Sequence, residues 1–203
     1  MSVETGPRIL RLSIRSFAFL GLFFCAWLLV KDPYGHLLAA TLNAVLPLLE
    51  SLDVTDSVTF LPDEGAFVIF SSKIILPSDH PKVFSLSADL HFGLVVFAAL
   101  VFATLPNLRV RTRALLVLLG AAILFPVHVF EVHVFCQTWY ATEPTNIRAS
   151  YSDGQAGFYN WTAQTLRHGE TAFPLVLWVF VYFGLRGIER TSEPSTPADA
   201  VGA

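Results

Sequence analysis

Residues 114–135 read Ala-Leu-Leu-Val-Leu-Leu-Gly-Ala-Ala-Ile-Leu-Phe-Pro-Val-His-Val-Phe-Glu-Val-His-Val-Phe. As a helix this stretch is about 33 Å long, and the hydrocarbon core of a bilayer is ~30 Å thick. No polar side chain interrupts it before His128, so it lacks the polar face that a surface helix of a soluble protein would show. Arg109, Arg111 and Arg113 stand immediately in front of it. Lipid offers no partner to a free backbone N–H or C=O, so a segment of this kind crosses as a helix.

Three more stretches read the same way: Ser16–Val30, extended backwards by Leu12 and Ile14; Ala88–Pro106; and Ala172–Leu185, closed by Arg186. Asp89, at the edge of the second, and Glu131 are the acidic residues among them. The fold class expected is an all-α polytopic membrane protein with four transmembrane helices. No small-x-small cleavage site follows Val30, so the first span is expected to be retained. Composition agrees: 54% of the residues are hydrophobic and 14% charged, where a soluble domain carries about 25%. The net charge of −3 gives no basic face for nucleic acid.

Basic residues orient the set. Arg8, Arg11, Arg15, Arg109, Arg111, Arg113, Arg186 and Arg190 fall in short segments on one side. Lys31, Lys73, Lys82, Arg148 and Arg167 are spread over much longer segments on the other. Positive residues favour the cytoplasm. The expectation is an inner-membrane protein with residues 1–15, 107–113 and 186–203 cytoplasmic, spans at 16–30, 88–106, 114–135 and 172–185, and residues 31–87 and 136–171 outside. The end of the chain, rich in Ser, Thr, Pro and Ala, is expected to be disordered.

In the first outer segment, His36–Leu46 is apolar at helical spacing but too short to span. It reads as an interfacial amphipathic helix or as a continuation of the first span, bent or ended by Pro47. Asp56–Leu61 and Ala66–Phe70 flank Pro62-Asp63-Glu64-Gly65, a β-hairpin signature, and Lys73–Leu76 offers a further short strand. An isolated hairpin is marginal in water, so this one must pack on something. The second outer segment carries Trp139, Tyr140, Tyr151, Tyr159 and Trp161, rings suited to the headgroup level. A ligand platform is the rival reading of them. Gly157–Leu166 is expected to form a short helix. Asn160-Trp161-Thr162 matches a glycosylation sequon, a pattern common by chance.

Ionisable groups at membrane depth mark functional candidates. His128 and Glu131 are three residues apart and share a helix face, while His133 points elsewhere. The spacing differs from His-Glu-x-x-His, so no metal is expected. A structural polar contact to the outer segment is the plain reading; a ligand site or proton relay at His128 and Glu131 is the alternative. Cys136 follows His133 by three residues, and a basic neighbour is what turns a thiol into a nucleophile. Arg148 completes a weak catalytic trio of Cys136, His133 and Arg148. The plain reading of Cys136 is an inert thiol at a helix end. A Cys25–Cys136 disulfide is conceivable, but both are expected to be reduced. No phosphate loop, serine elbow, zinc cluster or dinucleotide fingerprint is present, and no cofactor is expected.

Arg11–Leu29, Asp89-Leu90-His91-Phe92-Gly93-Leu94, Arg113–Gly120 and Phe173-Pro174-Leu175-Val176-Leu177-Trp178 follow one another in a layout that resembles the small integral membrane proteins encoded alongside exosortases. Asp89 stands where that family usually has Asn. The resemblance implies a bacterial accessory protein working beside a membrane transpeptidase. Exosortases themselves use a Cys, followed by Arg and His on later spans. Cys136 lacks the Ser/Thr-Gly surroundings of that site, so the activity is not carried over. The expected function is therefore a non-catalytic accessory or scaffold protein assisting protein sorting or surface-polymer export, with lipids and a membrane protein as partners. A membrane thiol transpeptidase and a ligand-binding sensor or carrier are the rivals.

Overall fold

The computed structural model describes residues 5–50, 54–74, 83–87, 92–142, 147–169 and 172–191, with the backbone alone at 5–8, 83–87 and 186–191. Along the chain these form α1 (Thr5–Leu49), β1 (Ser57–Leu61), β2 (Ala66–Phe70), β3 (Val83–Ser87), α2 (Phe92–Thr104), α3 (Val110–Thr142), a single 3₁₀ turn (Arg148–Ser150), α4 (Asp153–Gly169) and α5 (Ala172–Thr191).

The molecule is mostly helical. Two helices, α1 over Ile9–Leu49 and α3, are long and apolar enough to cross a membrane, and the bent pair α4–α5 makes a third if it is one span. At 1.5 Å per residue α1 is about 67 Å long and α3 about 50 Å, both well beyond a ~30 Å hydrocarbon core. The apolar stretch His36–Leu46 continues α1 without a break. Pro33 lies inside the helix, and the helix stops two residues after Pro47.

The helix α2 is apolar on every side, as a helix enclosed by others must be. It lies against α1, α3 and α5. Phe19 and Phe23 of α1 meet the ring of Phe102, with centroids 5.7 and 5.1 Å away. The indole N–H of Trp178 on α5 donates to Thr104 Oγ1 at 2.9 Å. Arg113, at the foot of α3, lies 4.9 Å over the Phe102 ring and donates to the Phe102 carbonyl. This end of the bundle has its own core around Phe97, Val101 and Leu105.

Along α3 the surroundings change abruptly. Below Glu131 one face is open, with Leu115, Leu118, Leu119, Ile123 and Phe130 exposed. From Glu131 to Val134 every residue is buried, as are Cys136, Gln137, Tyr140 and Ala141. Here α3 is wrapped by the upper part of α1, the sheet and α4. The second core lies here and includes Leu38, Leu42, Phe60, Phe67, Val132 and Tyr140.

The hairpin forms as its sequence requires. Ser57 pairs with Phe70 and Leu61 with Ala66, antiparallel. The Gly65 N–H donates to the Pro62 carbonyl, and Gly65 has φ +57°, a conformation that favours glycine. The third strand differs from expectation. Lys73 and Ile74 lie outside any strand, and β3 comes instead from Val83–Ser87, giving the order β1-β2-β3. Its alternation, Val-Phe-Ser-Leu-Ser, is that of a half-buried strand. The short helix expected at Gly157–Leu166 is the middle of α4. The expected disordered tail, beyond residue 191, lies outside the described residues, as does Asp89.

The sheet is fastened to α1 at two points. A Cβ at Gly35 would lie 2.6 Å from the Phe60 ring, so only glycine allows β1 this close. Asn43 then uses its amide as a substitute strand: Nδ2 donates to the Val58 carbonyl at 2.8 Å and Oδ1 accepts the Val58 N–H at 2.7 Å. An edge strand otherwise leaves such groups unpaired. Asn43→Ala is expected to cost about 1–3 kcal/mol. A thermal midpoint in detergent equal to the parent's would show that water replaces both bonds without loss.

Candidate functional site

The polar side chains of α3 do not form one cluster. They divide between two levels, each tied to a different part of α1.

At the lower level, His128 Nδ1 and Tyr34 Oη lie 2.6 Å apart in a hydrogen bond linking α3 to α1. The Tyr34 ring packs edge-on against Trp27 and Phe125, at 5.6 and 5.8 Å. Glu131, one helical turn above His128, is buried. Among the described residues no group of three or more His, Cys, Asp or Glu side chains is placed to hold a metal ion.

The upper level centres on Glu50, which sequence reasoning passed over. It follows the last turn of α1, where a negative charge opposes the helix dipole. Its carboxylate instead gathers the loop beyond. Oε2 accepts the Val54 and Thr55 N–H groups at 3.1 and 2.9 Å, and Oε1 accepts the Thr55 hydroxyl at 2.5 Å. The Gln137 amide approaches Oε1 at 3.4 Å. Thr55 Oγ1 also lies 2.7 Å from Tyr140 Oη, and Tyr151 Oη donates to Gln137 Oε1 at 2.7 Å. Thus α1, the loop before β1, α3 and the turn before α4 meet in one buried chain of hydrogen bonds. Buried polar groups need such partners. Helical spacing could have flagged part of it, since Gln137 and Tyr140 share a face of α3 with His133. Nothing local points to Glu50 or Thr55.

Among the described residues no hydrogen bond joins Cys136, His133 and Arg148 to one another. Cys136 has no exposed surface and sits in the outer core beside Tyr140 and Val132. Burial, reinforced by the nearby Glu50 carboxylate, pushes its thiol up, away from the thiolate. Burial likewise raises the Tyr140 and Tyr151 phenols. His133 is buried, and its Nδ1 has no hydrogen-bond partner among the described residues. Arg148 is occupied elsewhere, donating to the Tyr151 carbonyl and to Asp153, each at 3.0 Å. It thereby braces the turn that leads into α4. The two cysteines are unpaired, Cys25 exposed and Cys136 buried. Of the aromatic residues in the second outer segment, Phe158 and Trp161 are exposed on α4. Tyr140 and Tyr151 are core residues.

No family model, curated protein or solved structure matches the chain. Its function is therefore argued from this geometry.

Proposed function

We propose that the chain is a non-catalytic accessory or scaffold protein of the inner membrane. In this reading it crosses the bilayer four times with both termini in the cytoplasm and holds a rigid outer domain clear of the lipid. The observation that carries it is the use made of the polar residues above the span. Glu50, Thr55, Gln137, Tyr140 and Tyr151 bond to one another and lock α1, the loop before β1, α3 and the turn before α4 together. They are arranged as a brace, with no opening toward the Cys136 thiol.

The four spans of this reading add α2 and α5 to the two helices long and apolar enough to cross alone. In this reading the second span is the sequence stretch Ala88–Pro106, of which α2 forms thirteen residues. The helix α5 packs on the same end of the bundle, where Trp178, six residues from its start, bonds to Thr104 of α2. Eight of the ten arginines fall in the segments read at that end, and Arg148 and Arg167 are the two that do not. The resemblance in layout to proteins encoded with exosortases supports a role beside a membrane transpeptidase or a polymer exporter, with the outer domain as the surface offered to that partner.

Reporter fusions at Asn107 and at the C-terminus test the topology. Both are expected to be active only with a cytoplasmic reporter, and activity of a periplasmic reporter at either point overturns it. A membrane-impermeant maleimide tests the thiol. Cys136 is expected to resist labelling in intact membranes and to react once the protein is unfolded in SDS, and Cys136→Ala should insert and fold as the parent does. Rapid labelling of Cys136 in the folded protein would instead favour the thiol-enzyme reading.

A further inference from the structure

The apolar exposure of α3 ends at Phe130, five residues before the end of the span read at 114–135. That of α1 does not end there. Above Lys31 and Asp32, Leu37 is 57% exposed and Leu48 82%. Leu48 stands seventeen residues beyond Lys31, about 25 Å further along the helix. Exposed leucines cost nothing in lipid, but at this height they face water, where an uncovered apolar stripe marks an interaction surface.

The stripe has a period. From Ala18 it climbs through Leu22, Ala26 and Leu29, then through Pro33, Leu37 and Ala40 to Ala44 and Leu48, in steps of four, four and three residues taken in turn. Every one of these residues is exposed. An eleven-residue repeat keeps one seam facing a partner helix with a right-handed twist. Alanines at four of the positions allow close backbone approach, as helix pairs in membranes require. Lys31 and Asp32 are the charged residues between Ser16 and Leu49, and both lie off the seam.

We propose that a second copy of this chain covers the seam, the two α1 helices packing in parallel about a two-fold axis along the membrane normal. A helix that is apolar from the cytoplasmic end of the span to about 25 Å beyond Lys31 matches the whole length of the seam. Among the described residues α1 is such a helix, and insertion fixes both copies at the same depth and in the same direction. Each level then meets its own level, as a two-fold interface demands. A seam without charge needs no opposite partner. From Ala18 to Leu48 the seam is about 45 Å long, and a strip about 11 Å wide over that length comes to roughly 500 Å² on each copy. The sum, about 1,000 Å², is what a specific interface requires.

The inference rests on the membrane-inserted reading, which the reporter fusions test separately, since they report topology whether or not the chain dimerises. In a Cys25→Ser background, Leu37→Cys, Ala40→Cys and Ala44→Cys are introduced singly into the full chain, with Asn160→Cys on α4 as the control. After copper-phenanthroline oxidation of intact membranes, the three seam positions are expected to give several-fold more disulfide-linked dimer than Asn160→Cys. Independently, Ala44→Arg should convert the detergent-solubilised protein from the mass of a dimer to that of a monomer with its helical content unchanged. Cross-linking no greater than the control, cross-linking to a different protein, or a parent chain of monomer mass overturns the proposal.

Discussion

Replacing Glu50 by leucine is expected to lower the thermal midpoint of the solubilised protein by about 10 °C, the loss of roughly 3–5 kcal/mol. Leucine fills a similar volume but accepts nothing. The Val54 and Thr55 N–H groups would lose their acceptor within a core where neighbouring Tyr140 has no exposed surface. A buried donor left unsatisfied costs about 1–3 kcal/mol. The Thr55 hydroxyl suffers less, because Tyr140 Oη remains beside it. Glu50→Gln should be milder, near 1–2 kcal/mol, since it keeps one acceptor oxygen and turns the other into a donor facing donors. Tyr140→Phe should be milder again, as Thr55 then keeps its bond to Glu50. The order Leu worse than Gln at position 50, with Phe at position 140 least, is the signature of a brace centred on the carboxylate. Equal stability of Glu50→Leu and parent would remove the support for the scaffold reading.

Why Glu50 escaped notice while the hairpin did not is a matter of range. Periodicity and turn chemistry describe a single element. They reveal the apolar run of α3, the Pro-Asp-Glu-Gly turn at Pro62–Gly65 and the helical spacing of His36–Leu46. They cannot show that Glu50 reaches Gln137, 87 residues away, or that Thr55 reaches Tyr140 across 85. The same limit hid β3. Val83–Ser87 has a strand pattern, but its value depends on β2 lying beside it, in the register Ala66 to Ser87. Length was equally silent on whether His36–Leu46 lies flat or extends α1. That depends on whether Leu38, Leu42 and Leu46 find a core to enter, and the sheet and α3 provide one.

The candidate residues of α3 show both halves of this. His128, Glu131, His133 and Cys136 were legible as unusual because polar and reactive groups stand out in an apolar span. Their roles were not, because each depends on the facing helix. His128 meets Tyr34 of α1, and Cys136 enters the core shared with Leu38, Leu42 and the sheet.

At the opposite end of the bundle the corresponding weak point is Gly120. A Cβ there would lie 2.1 Å from Cε1 of Phe97 and within 2.8 Å of two further ring atoms. Phe97 is itself completely buried, packed with Val101 and the partly buried side chains of α3 and α5, so the ring has no vacant space to turn into. Within lipid, helices gain little from hydrophobic burial and hold together by close packing. Gly120→Ala should therefore cost about 1–3 kcal/mol by overpacking, against the gain of ~1 kcal/mol that alanine usually brings to a helix interior. Gly120→Leu should push α2 from α3 and leave little monodisperse protein after solubilisation. Gly184→Ala is the control, since nothing lies within 4 Å of a Cβ at that position. It should be neutral or slightly stabilising. Adding Phe97→Ala to Gly120→Leu should recover part of the lost stability by freeing the space the new side chain needs. If Gly120→Ala proves as stable as Gly184→Ala, Phe97 has room to yield and the contact does not fix the approach of α2 to α3.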